Sequence, residues 1–225
     1  MINIAIDGPS GAGKSTIGKM LAAKLGITYL DTGAMYRAVA LYALRKGVAP
    51  TDEAAVVPLL DEIDISFSDG EDRKIFLNGE DVSSAIREHA ISKAASDISK
   101  IQQVRLFLVK MQREIAAASD VVLDGRDITS YVLPDAEFKF FLTASVEERA
   151  RRRFEELKQK GADIDYDTVL ADIKDRDYND SHRAFAPLTR TEDSVLIDSS
   201  DMTAEQVAEV IVGYVRERAK KDNQA

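Results

Sequence analysis

The 225-residue chain contains no cysteine and no tryptophan, and it has only two histidines, His89 and His182. The absence of cysteine excludes disulfides, thiolate metal sites and a cysteine nucleophile, and two histidines leave no cluster for a transition metal. No apolar run approaches the ~20 residues that a membrane span needs, and Met1-Ile2-Asn3-Ile4 lacks the basic start of a signal peptide. We therefore expect a cytoplasmic protein without a membrane partner.

Acidic residues outnumber basic residues in the chain. The chain has 30 Lys and Arg against 39 Asp and Glu, a net charge of −9. Because nucleic-acid binding depends on many contacts from Lys and Arg to phosphate, we expect no nucleic-acid partner. If such a chain binds an anion, it must do so through a local concentration of arginines.

The most informative stretch is the run Gly8-Pro9-Ser10-Gly11-Ala12-Gly13-Lys14-Ser15-Thr16. It fits the pattern G-x-x-x-x-G-K-[ST] of a phosphate-binding P-loop, between an apolar strand and a helical pattern, which is the context this loop requires. Glycines let backbone N–H groups approach phosphate oxygens, and the N-terminus of the helix favours an anion. We predict that the chain binds a nucleoside triphosphate, with Lys14 on its outer phosphates and the Ser15 hydroxyl on Mg²⁺.

Five short apolar segments predict the strands of a parallel sheet wrapped by helices, an α/β fold. These segments are residues 2–7, 27–30, 121–123, 138–142 and 195–198. Helical patterns cover residues 14–25, 34–46, 104–118, 166–177 and 203–218, and the last begins with a capping box formed by Thr203 and Gln206.

The region from Leu59 to about Lys100 has a different character. Three short strands are predicted, at residues 63–67, 74–77 and 81–82, separated by turns at Asp69-Gly70 and Asn78-Gly79. This pattern indicates a small antiparallel insert in the βαβ chain, followed by helical sequence.

Charged residues follow the apolar strand Val121–Leu123 directly, in the run Asp124-Gly125-Arg126-Asp127. In open α/β sheets, ligands bind just beyond the carboxyl ends of the strands, which is where this run lies. Two further groups of arginines occur later in the chain. Arg149 and Arg153 share a helix face, neighbouring Arg151 and Arg152 are expected to be solvated, and the last group is Arg176, Asp180 and Arg183.

Four stretches together resemble the bacterial cytidylate kinase family of P-loop nucleoside monophosphate (NMP) kinases. They are Gly8 to Thr16, Asp31-Thr32-Gly33-Ala34-Met35-Tyr36-Arg37, Asp124-Gly125-Arg126-Asp127 and Arg176…Asp180…Arg183. The resemblance implies phosphoryl transfer from ATP to CMP or dCMP with Mg²⁺, a reaction based on positioning and charge neutralisation without a covalent nucleophile. It implies one kinase unit over residues 1–225. Its parts are a core (1–31, 101–148 and 190–225), an NMP-binding region with the β insert (32–100) and a helical lid (149–189). We expect a monomer, because the sequence has no heptad repeat or long apolar stripe that would need a partner.

The resemblance also implies roles for individual residues. Those on the acceptor nucleotide are Thr32, Tyr36, Arg37, Arg105, Arg126, Asp127, Asp180 and Arg183, with Asp127 and Arg105 reading cytosine. Those on ATP are Gly8 to Thr16, Arg149 and Arg153. The catalytic set is Lys14, Arg126, Arg153, Arg176 and Arg183, and the metal set is Ser15 and Asp124.

Simpler interpretations of some residues stay open at this stage. Tyr36 is also compatible with a core position and Arg37 with a surface position. Spacing does not tell which of Arg105 and Arg113 faces a cleft, and Asp180 in a polar segment is often a solvated turn residue.

The chain departs from the family pattern at two places. Ile128-Thr129-Ser130-Tyr131-Val132 stands where the family usually has I-G-T-V-V, and Asn179 stands where another arginine sometimes occurs. The alternative functions are another small-molecule P-loop kinase, acting on UMP, AMP or shikimate, and a non-catalytic nucleotide-binding module. A regulatory GTP switch is disfavoured, because neither Asn-Lys-x-Asp nor D-x-x-G occurs in the sequence.

Overall fold

The structure is a computed structural model that describes residues 1–68, 73–159 and 161–222. Its contacts divide the chain into two compact units, a larger one of Met1–Leu30 with Ala116–Ala225 and a smaller one of Asp31–Ile115. The strands within the described residues are β1 (Asn3–Asp7), β2 (Thr28–Asp31), β3 (Ile65–Phe67), β4 (Ile75–Leu77), β5 (Glu80–Asp81), β6 (Val121–Gly125), β7 (Phe138–Thr143) and β8 (Val195–Asp198). The helices are α1 (Lys14–Leu25), α2 (Thr32–Arg45), α3 (Glu53–Val56), α4 (His89–Ile98), α5 (Gln102–Ala118), α6 (Val146–Gln159), α7 (Tyr166–His182) and α8 (Ala204–Asp222).

A five-stranded parallel sheet with the order β2-β6-β1-β7-β8 forms the larger unit, which confirms the five predicted strands and the predicted fold class. The central strand β1 pairs with β6 and β7, and its last residue Asp7 lies beside Gly125 on one side and Phe141 on the other. The carboxyl ends of β1 and β6 therefore reach the same edge of the sheet. In this class of sheet, ligands bind at that edge.

The core of the larger unit joins the sheet to helices α1 and α8. Its strand residues include Ile4 and Ile6 of β1 and Phe140 of β7, and its helix residues include Ile17, Leu21, Val207, Ala208, Ile211, Val212 and Val215. Full burial of one such side chain stabilises the fold by roughly 1.5–3 kcal/mol. Because β1 and α1 are both anchored in this core, the loop of residues 8–13 that connects them is held at both ends.

Helices α6 and α7 pack on each other through a second, smaller core. This core consists of Ala150, Leu157, Val169 and Ile173. Helix α7 continues to His182, past the predicted end at Asp177, so Asp180 lies on a helix and not in the polar loop that the sequence suggested. The buried face of α7 continues from Val169 and Ile173 to Asp180 at helical spacing, and the polar character of its last member concealed the continuation.

The smaller unit contains the predicted antiparallel insert. Strands β3, β4 and β5 form a sheet in that order, with Ile65 opposite Leu77 and Leu77 opposite Glu80. Asn78 and Gly79 connect β4 to β5 with φ angles of 51° and 82°, the backbone that an Asn-Gly hairpin turn requires. The prediction of a turn at Asn78-Gly79 is confirmed, whereas the turn predicted at Asp69-Gly70 lies outside the described residues.

Local capping decides where several helices begin. The predicted capping box of α8 is present, because Gln206 N donates to Thr203 Oγ1 over 3.2 Å and Thr203 N donates to Gln206 Oε1 over 2.8 Å. Helix α2 begins at Thr32, earlier than predicted, because the Asp31 side chain accepts a hydrogen bond from Ala34 N. Of the helices in the described ranges, none combines the length and apolar character of a membrane span.

We expect Gly8→Ala to lower the free energy of unfolding by about 3 kcal/mol or more, through strained backbone and a steric clash. The φ angle of Gly8 is 152°, and an added Cβ would lie 1.9 Å from the carbonyl oxygen of Leu142. Gly26→Ala is the matched control, because φ is 68° there but no atom lies within 4 Å of an added Cβ. Its expected cost is about 1–2 kcal/mol. Urea unfolding measures both, and equal losses would contradict the importance of the close approach at Gly8.

Candidate active site

The predicted P-loop connects β1 to α1, and Lys14 is the first residue of that helix. The Lys14 side chain folds back along the loop, and its Nζ donates to the carbonyl oxygens of Gly8 (2.7 Å) and Pro9 (2.8 Å). Burial, followed by the positive charge of Arg126, lowers the pKa of the Lys14 amine to about 7, although the carboxylates of Asp124 and Asp180 act in the opposite direction. The amine is thus held against the loop backbone, near the charged groups of Arg126, Asp124 and Asp180.

Arg149 ties helices α6 and α7 to the loop. Its Nη1 donates to Ser10 O over 2.9 Å and to Asp177 Oδ2 over 2.5 Å, and its Nε donates to Ala144 O over 3.0 Å. The same Asp177 accepts a hydrogen bond from Ser10 N through its other oxygen, Oδ1. A predicted ATP-binding residue therefore lies directly on the P-loop, where it fixes the loop backbone from outside. Asp177 is a partner that the sequence did not reveal.

Asp124 lies near the end of β6, next to the first turn of α1. Its Oδ2 accepts a hydrogen bond from Ser15 Oγ over 3.2 Å, and its Oδ1 accepts one from Tyr29 OH over 2.6 Å. The two predicted metal-binding residues are therefore neighbours. Their hydroxyl and carboxylate oxygens are the kind of ligand that Mg²⁺ prefers. In the described part of the chain, no group of three or more His, Cys, Asp or Glu residues is arranged to hold a metal by itself. Any Mg²⁺ here would need further ligands such as phosphate oxygens or water.

The arginines predicted after β6 and on α7 gather around one buried acid. Arg126 Nε lies 2.7 Å from Asp180 Oδ2, and Arg176 Nε lies 4.0 Å from the same oxygen. Asp127, the residue after Arg126, pairs with Arg183, with 3.4 Å between Arg183 Nη2 and Asp127 Oδ1. Burial raises the pKa of the Asp180 carboxyl, but the charges of Arg126, Arg176 and Arg183 outweigh burial and hold that pKa below its ordinary value.

Asp180 is only 4% exposed, which excludes a solvated turn residue. The structure thus brings together the five predicted residues of this cluster, namely Arg126, Asp127, Arg176, Asp180 and Arg183. The carboxylates balance the charge of the guanidinium groups and orient them, as a site for phosphate requires.

A second buried carboxylate, Asp7 at the end of β1, holds the segment that follows Asp127. Its oxygens accept hydrogen bonds from Ile128 N (2.9 Å), Thr129 N (2.7 Å) and Thr129 Oγ1 (2.7 Å). The segment itself makes one π-helical turn, since Val132 N donates to Asp127 O and Leu133 N to Ile128 O. Thr129, which stands where the family usually has glycine, therefore supplies an additional hydrogen bond to the sheet. Burial raises the pKa of Asp7 above its ordinary value, against the hydrogen bonds from Thr129 and Ile128 that lower it.

The lid arginines differ in their surroundings. Arg153 makes an ion pair with Glu156 on the same helix, with 2.7 Å between Nη1 and Oε2, so its predicted contact with ATP stays a prediction. Arg151 is exposed and pairs with Glu148 and Glu155, as expected for a solvated position. Arg152 was also expected to be solvated, but it is half-buried and donates to Ser199 O over 2.6 Å.

The smaller unit contains the remaining predicted acceptor residues. Arg37 Nη2 donates to Asp31 Oδ2 over 2.8 Å, so this arginine is oriented by the acid that caps its helix. Partial burial raises the pKa of Asp31, but Arg37, the Ala34 N–H and Arg87 together lower it below its ordinary value.

Arg105 resolves the ambiguity about helix α5. It is 1% exposed, its Nη1 donates to Ser99 O, and its guanidinium lies 5.3 Å from the centre of the Tyr36 ring. Arg113 on the same helix is exposed. Thr32 is buried and Tyr36 is half-buried against Arg105, so Tyr36 is not a simple core residue.

The sheet order and the P-loop between β1 and α1 define a P-loop kinase fold, and the arginine cluster beyond β6 is a candidate phosphate site. A profile of the cytidylate kinase family matches residues 4–217. The chain therefore belongs to the cytidylate kinase family, as its motifs implied.

Curated relatives cover nearly the whole chain. The cytidylate kinase of Caldanaerobacter subterraneus subsp. tengcongensis is 54% identical over 219 residues, which are 97% of this chain and 96% of that protein. The cytidylate kinase of Caldicellulosiruptor bescii is 53% identical over 94% of each chain. That of Halalkalibacterium halodurans is 48% identical over 96% of this chain and 98% of its own.

Solved structures show the fold at low sequence identity. An uncharacterized protein from Eubacterium ventriosum has a TM-score of 0.55 at 16% identity, covering 96% of this chain and 99% of that chain. A gluconokinase from Sinorhizobium meliloti has a TM-score of 0.50 at 14% identity, covering 100% of this chain and 97% of that chain. At these identities the likeness concerns the fold alone.

We expect Asp180→Ala to lower the free energy of unfolding at pH 7 by about 3–5 kcal/mol, because it leaves buried guanidinium groups without their counter-charge. Although burial raises the pKa of Asp180, the charges of Arg126, Arg176 and Arg183 hold its folded-state pKa below the ordinary value of an aspartate. The stability that Asp180 contributes is therefore complete above about pH 4 and is lost as the pH falls further. Urea unfolding of wild type and variant across this pH range measures the difference.

The matched control is Asp193→Ala, which removes a carboxylate that is 61% exposed and paired with Lys139. Its expected cost is below about 1 kcal/mol. Equal losses for the two variants at pH 7 would contradict the central role of Asp180.

Proposed function

We propose that the protein transfers the γ-phosphoryl group of ATP to CMP or dCMP, producing ADP and CDP or dCDP. The observation that carries this proposal is the match to the cytidylate kinase family over residues 4–217. The site supplies the required groups: a phosphate-binding backbone, one lysine, a hydroxyl beside a carboxylate, and several oriented arginines. Such a transfer is catalysed by positioning and electrostatic stabilisation, so the absence of cysteine is no obstacle.

ATP binds on the larger unit in this proposal. The backbone N–H groups from Gly8 to Thr16 and the N-terminus of α1 hold its phosphates, and Lys14 exchanges its bonds to Gly8 O and Pro9 O for phosphate oxygens. Contact with a polyanion favours the charged form of the amine, whose pKa is about 7 in the folded protein. Arg149 supports the loop through Ser10, and Arg153 is assigned to the adenine or phosphate side of ATP by the family resemblance.

Mg²⁺ fits the oxygen groups at the first turn of α1. Ser15 would bind the ion through its hydroxyl, and Asp124 would orient it through water, since the two side chains are hydrogen-bonded neighbours. A bound Mg²⁺ neutralises phosphate charge during the transfer.

The moving phosphoryl group meets the arginine cluster. We assign Arg126, Arg176 and Arg183 to its developing charge and to the acceptor phosphate, because Asp180 and Asp127 already hold these guanidinium groups in place. Asp180 itself is assigned to the sugar of the acceptor by the family resemblance.

The same resemblance assigns residues to the acceptor. Arg37 binds the monophosphate, Thr32 and Tyr36 contact the base or sugar side, and Arg105 and Asp127 read the cytosine. A carboxylate at Asp127 accepts a hydrogen bond from the exocyclic amine of cytosine, whereas uracil presents a carbonyl there.

The proposal also covers the oligomeric state, the cellular location and the parts of the chain. We propose a cytoplasmic monomer without nucleic-acid or membrane partners, with a core (1–31, 101–148 and 190–225), an NMP-binding region (32–100) and a lid (149–189) that closes over the substrates. The supports are the net charge of −9, the absence of cysteine and the motifs that the family shares.

Phosphate transfer from ATP to a panel of CMP, dCMP, UMP, AMP and shikimate tests the proposal. We expect CMP and dCMP to have the highest kcat/KM, because the arginines and Asp127 suit a cytosine monophosphate. Coupled detection of ADP, with ATP alone as the blank, is the measurement. ADP production that does not depend on CMP, or faster transfer to AMP or shikimate, would overturn the proposal.

We expect Asp127→Ala to lower the ratio of kcat/KM for CMP to that for UMP by about tenfold or more. The ratio compares two substrates on one variant, so a general loss of activity or of folded protein cancels. The measurement is initial rates with each acceptor at saturating ATP. A ratio equal to that of the wild type would rule out a base-reading role for Asp127.

A further inference from the structure

Tyr29 on strand β2 reaches the functional edge of the sheet, although no motif predicted it. Its hydroxyl donates to Asp124 Oδ1 over 2.6 Å, a short bond to a carboxylate that is 4% exposed. Hydrogen bonds from O–H to a buried carboxylate are among the stronger ones in proteins. The contact joins β2 directly to the end of β6.

The aromatic ring of Tyr29 is held where it is by helix α1. A Cβ added at Gly18 would lie 2.5 Å from Tyr29 Cε2 and 2.9 Å from Cδ2. Any side chain at position 18 would therefore displace the ring, so Gly18 provides the space that the ring occupies. This is a close approach that only glycine permits.

The other oxygen of Asp124 faces the P-loop helix, where it accepts the hydrogen bond from Ser15 Oγ over 3.2 Å. The carboxylate is therefore held at both oxygens, by Tyr29 from β2 and by Ser15 from α1. An aspartate carboxylate otherwise rotates about its side-chain bonds, and the bond from Tyr29 removes that freedom. The plane of the Asp124 carboxylate is thereby fixed, with Oδ2 directed at the Ser15 hydroxyl. The proposed function assigns that hydroxyl to Mg²⁺.

We propose that Tyr29 is a positioning residue for Mg²⁺-dependent ATP binding, acting through Asp124, with Gly18 as the residue that makes room for it. This inference rests on the proposed function, because that function assigns Ser15 and Asp124 to Mg²⁺. Partners that orient metal-binding side chains typically contribute about 10- to 100-fold to metal affinity. Tyr29 should therefore affect the part of ATP affinity that Mg²⁺ provides, and leave metal-free binding unchanged.

The test is Tyr29→Phe, which removes one hydroxyl and keeps the ring. Calorimetry measures the Kd of the non-hydrolysable analogue with an imido group between the β and γ phosphates, with saturating Mg²⁺ and with EDTA, in the absence of CMP. The Mg²⁺ factor is the ratio of the Kd in EDTA to the Kd in Mg²⁺. We expect this factor to fall about tenfold in the variant, while the Kd in EDTA stays as in the wild type. Tyr42→Phe is the matched control, since its hydroxyl bonds the exposed Glu62, and its factor should equal that of the wild type.

An unchanged Mg²⁺ factor in Tyr29→Phe would overturn the inference. Equal weakening in Mg²⁺ and in EDTA would also overturn it, because that result indicates a purely structural role for the hydroxyl.

Gly18→Ala provides an independent approach to the same contact. By displacing the ring, it should reduce the Mg²⁺ factor in the wild-type background but change it little in the Tyr29→Phe background, where the hydroxyl is already absent. Additive effects of the two substitutions would argue against a shared mechanism.

Failure of the proposed function is distinguishable from failure of this inference. If wild-type protein phosphorylates CMP and binds the analogue more tightly with Mg²⁺, and Tyr29→Phe behaves alike, only the inference fails. If the wild type shows no CMP phosphorylation, the proposed function fails first.

Discussion

Guanidinium groups repel one another, and the arginine cluster of this protein depends on buried carboxylates that hold these groups side by side. Asp180 lies against Arg126 and Arg176, and Asp127 pairs with Arg183. Without these acids, several positive charges out of water would be strongly unfavourable. This arrangement explains how a chain with a net charge of −9 builds a cationic site, because the positive charge is concentrated locally by a few specific ion pairs.

Two further carboxylates organise the edge of the sheet. Asp7 and Asp124 lie at the ends of the paired strands β1 and β6, and both are buried. Burying a charged group is costly unless hydrogen bonds compensate, and here the donors are Ile128 and Thr129 for Asp7, and Ser15 and Tyr29 for Asp124. Asp7 holds the turn after Asp127, while Asp124 holds Ser15 at the first turn of α1. The register of β1 and β6 thereby sets the positions of the turn after Asp127 and of Ser15.

Features that depend on neighbours in sequence were predicted well. The P-loop, the Asn78-Gly79 hairpin and the Thr203–Gln206 capping box each follow from the conformational preferences of a few adjacent residues, and the structure contains all three. The end of α7 was placed too early, since Asp180 continues an apolar face with a charged side chain. Three arginines compensate the burial of Asp180. Of these, Arg126 is 54 positions away in sequence, and Arg183 follows the last turn of α7 with an extended backbone. Tyr29, Asp177 and the role of Asp7 were missed for a related reason, because none belongs to a motif.

The sequence by itself determined the order of strands and helices, the phosphate-binding loop and the family, because these are encoded in local patterns and in motif spacing. Only the tertiary structure decided which carboxylate meets which arginine, that Thr129 bonds Asp7, and that Tyr29 fits against Gly18 to reach Asp124. Most of those contacts join residues distant in sequence, up to 122 positions apart for Asp7 and Thr129. Their partners are selected by strand register and close packing, and neither quantity is a property of any short stretch of chain.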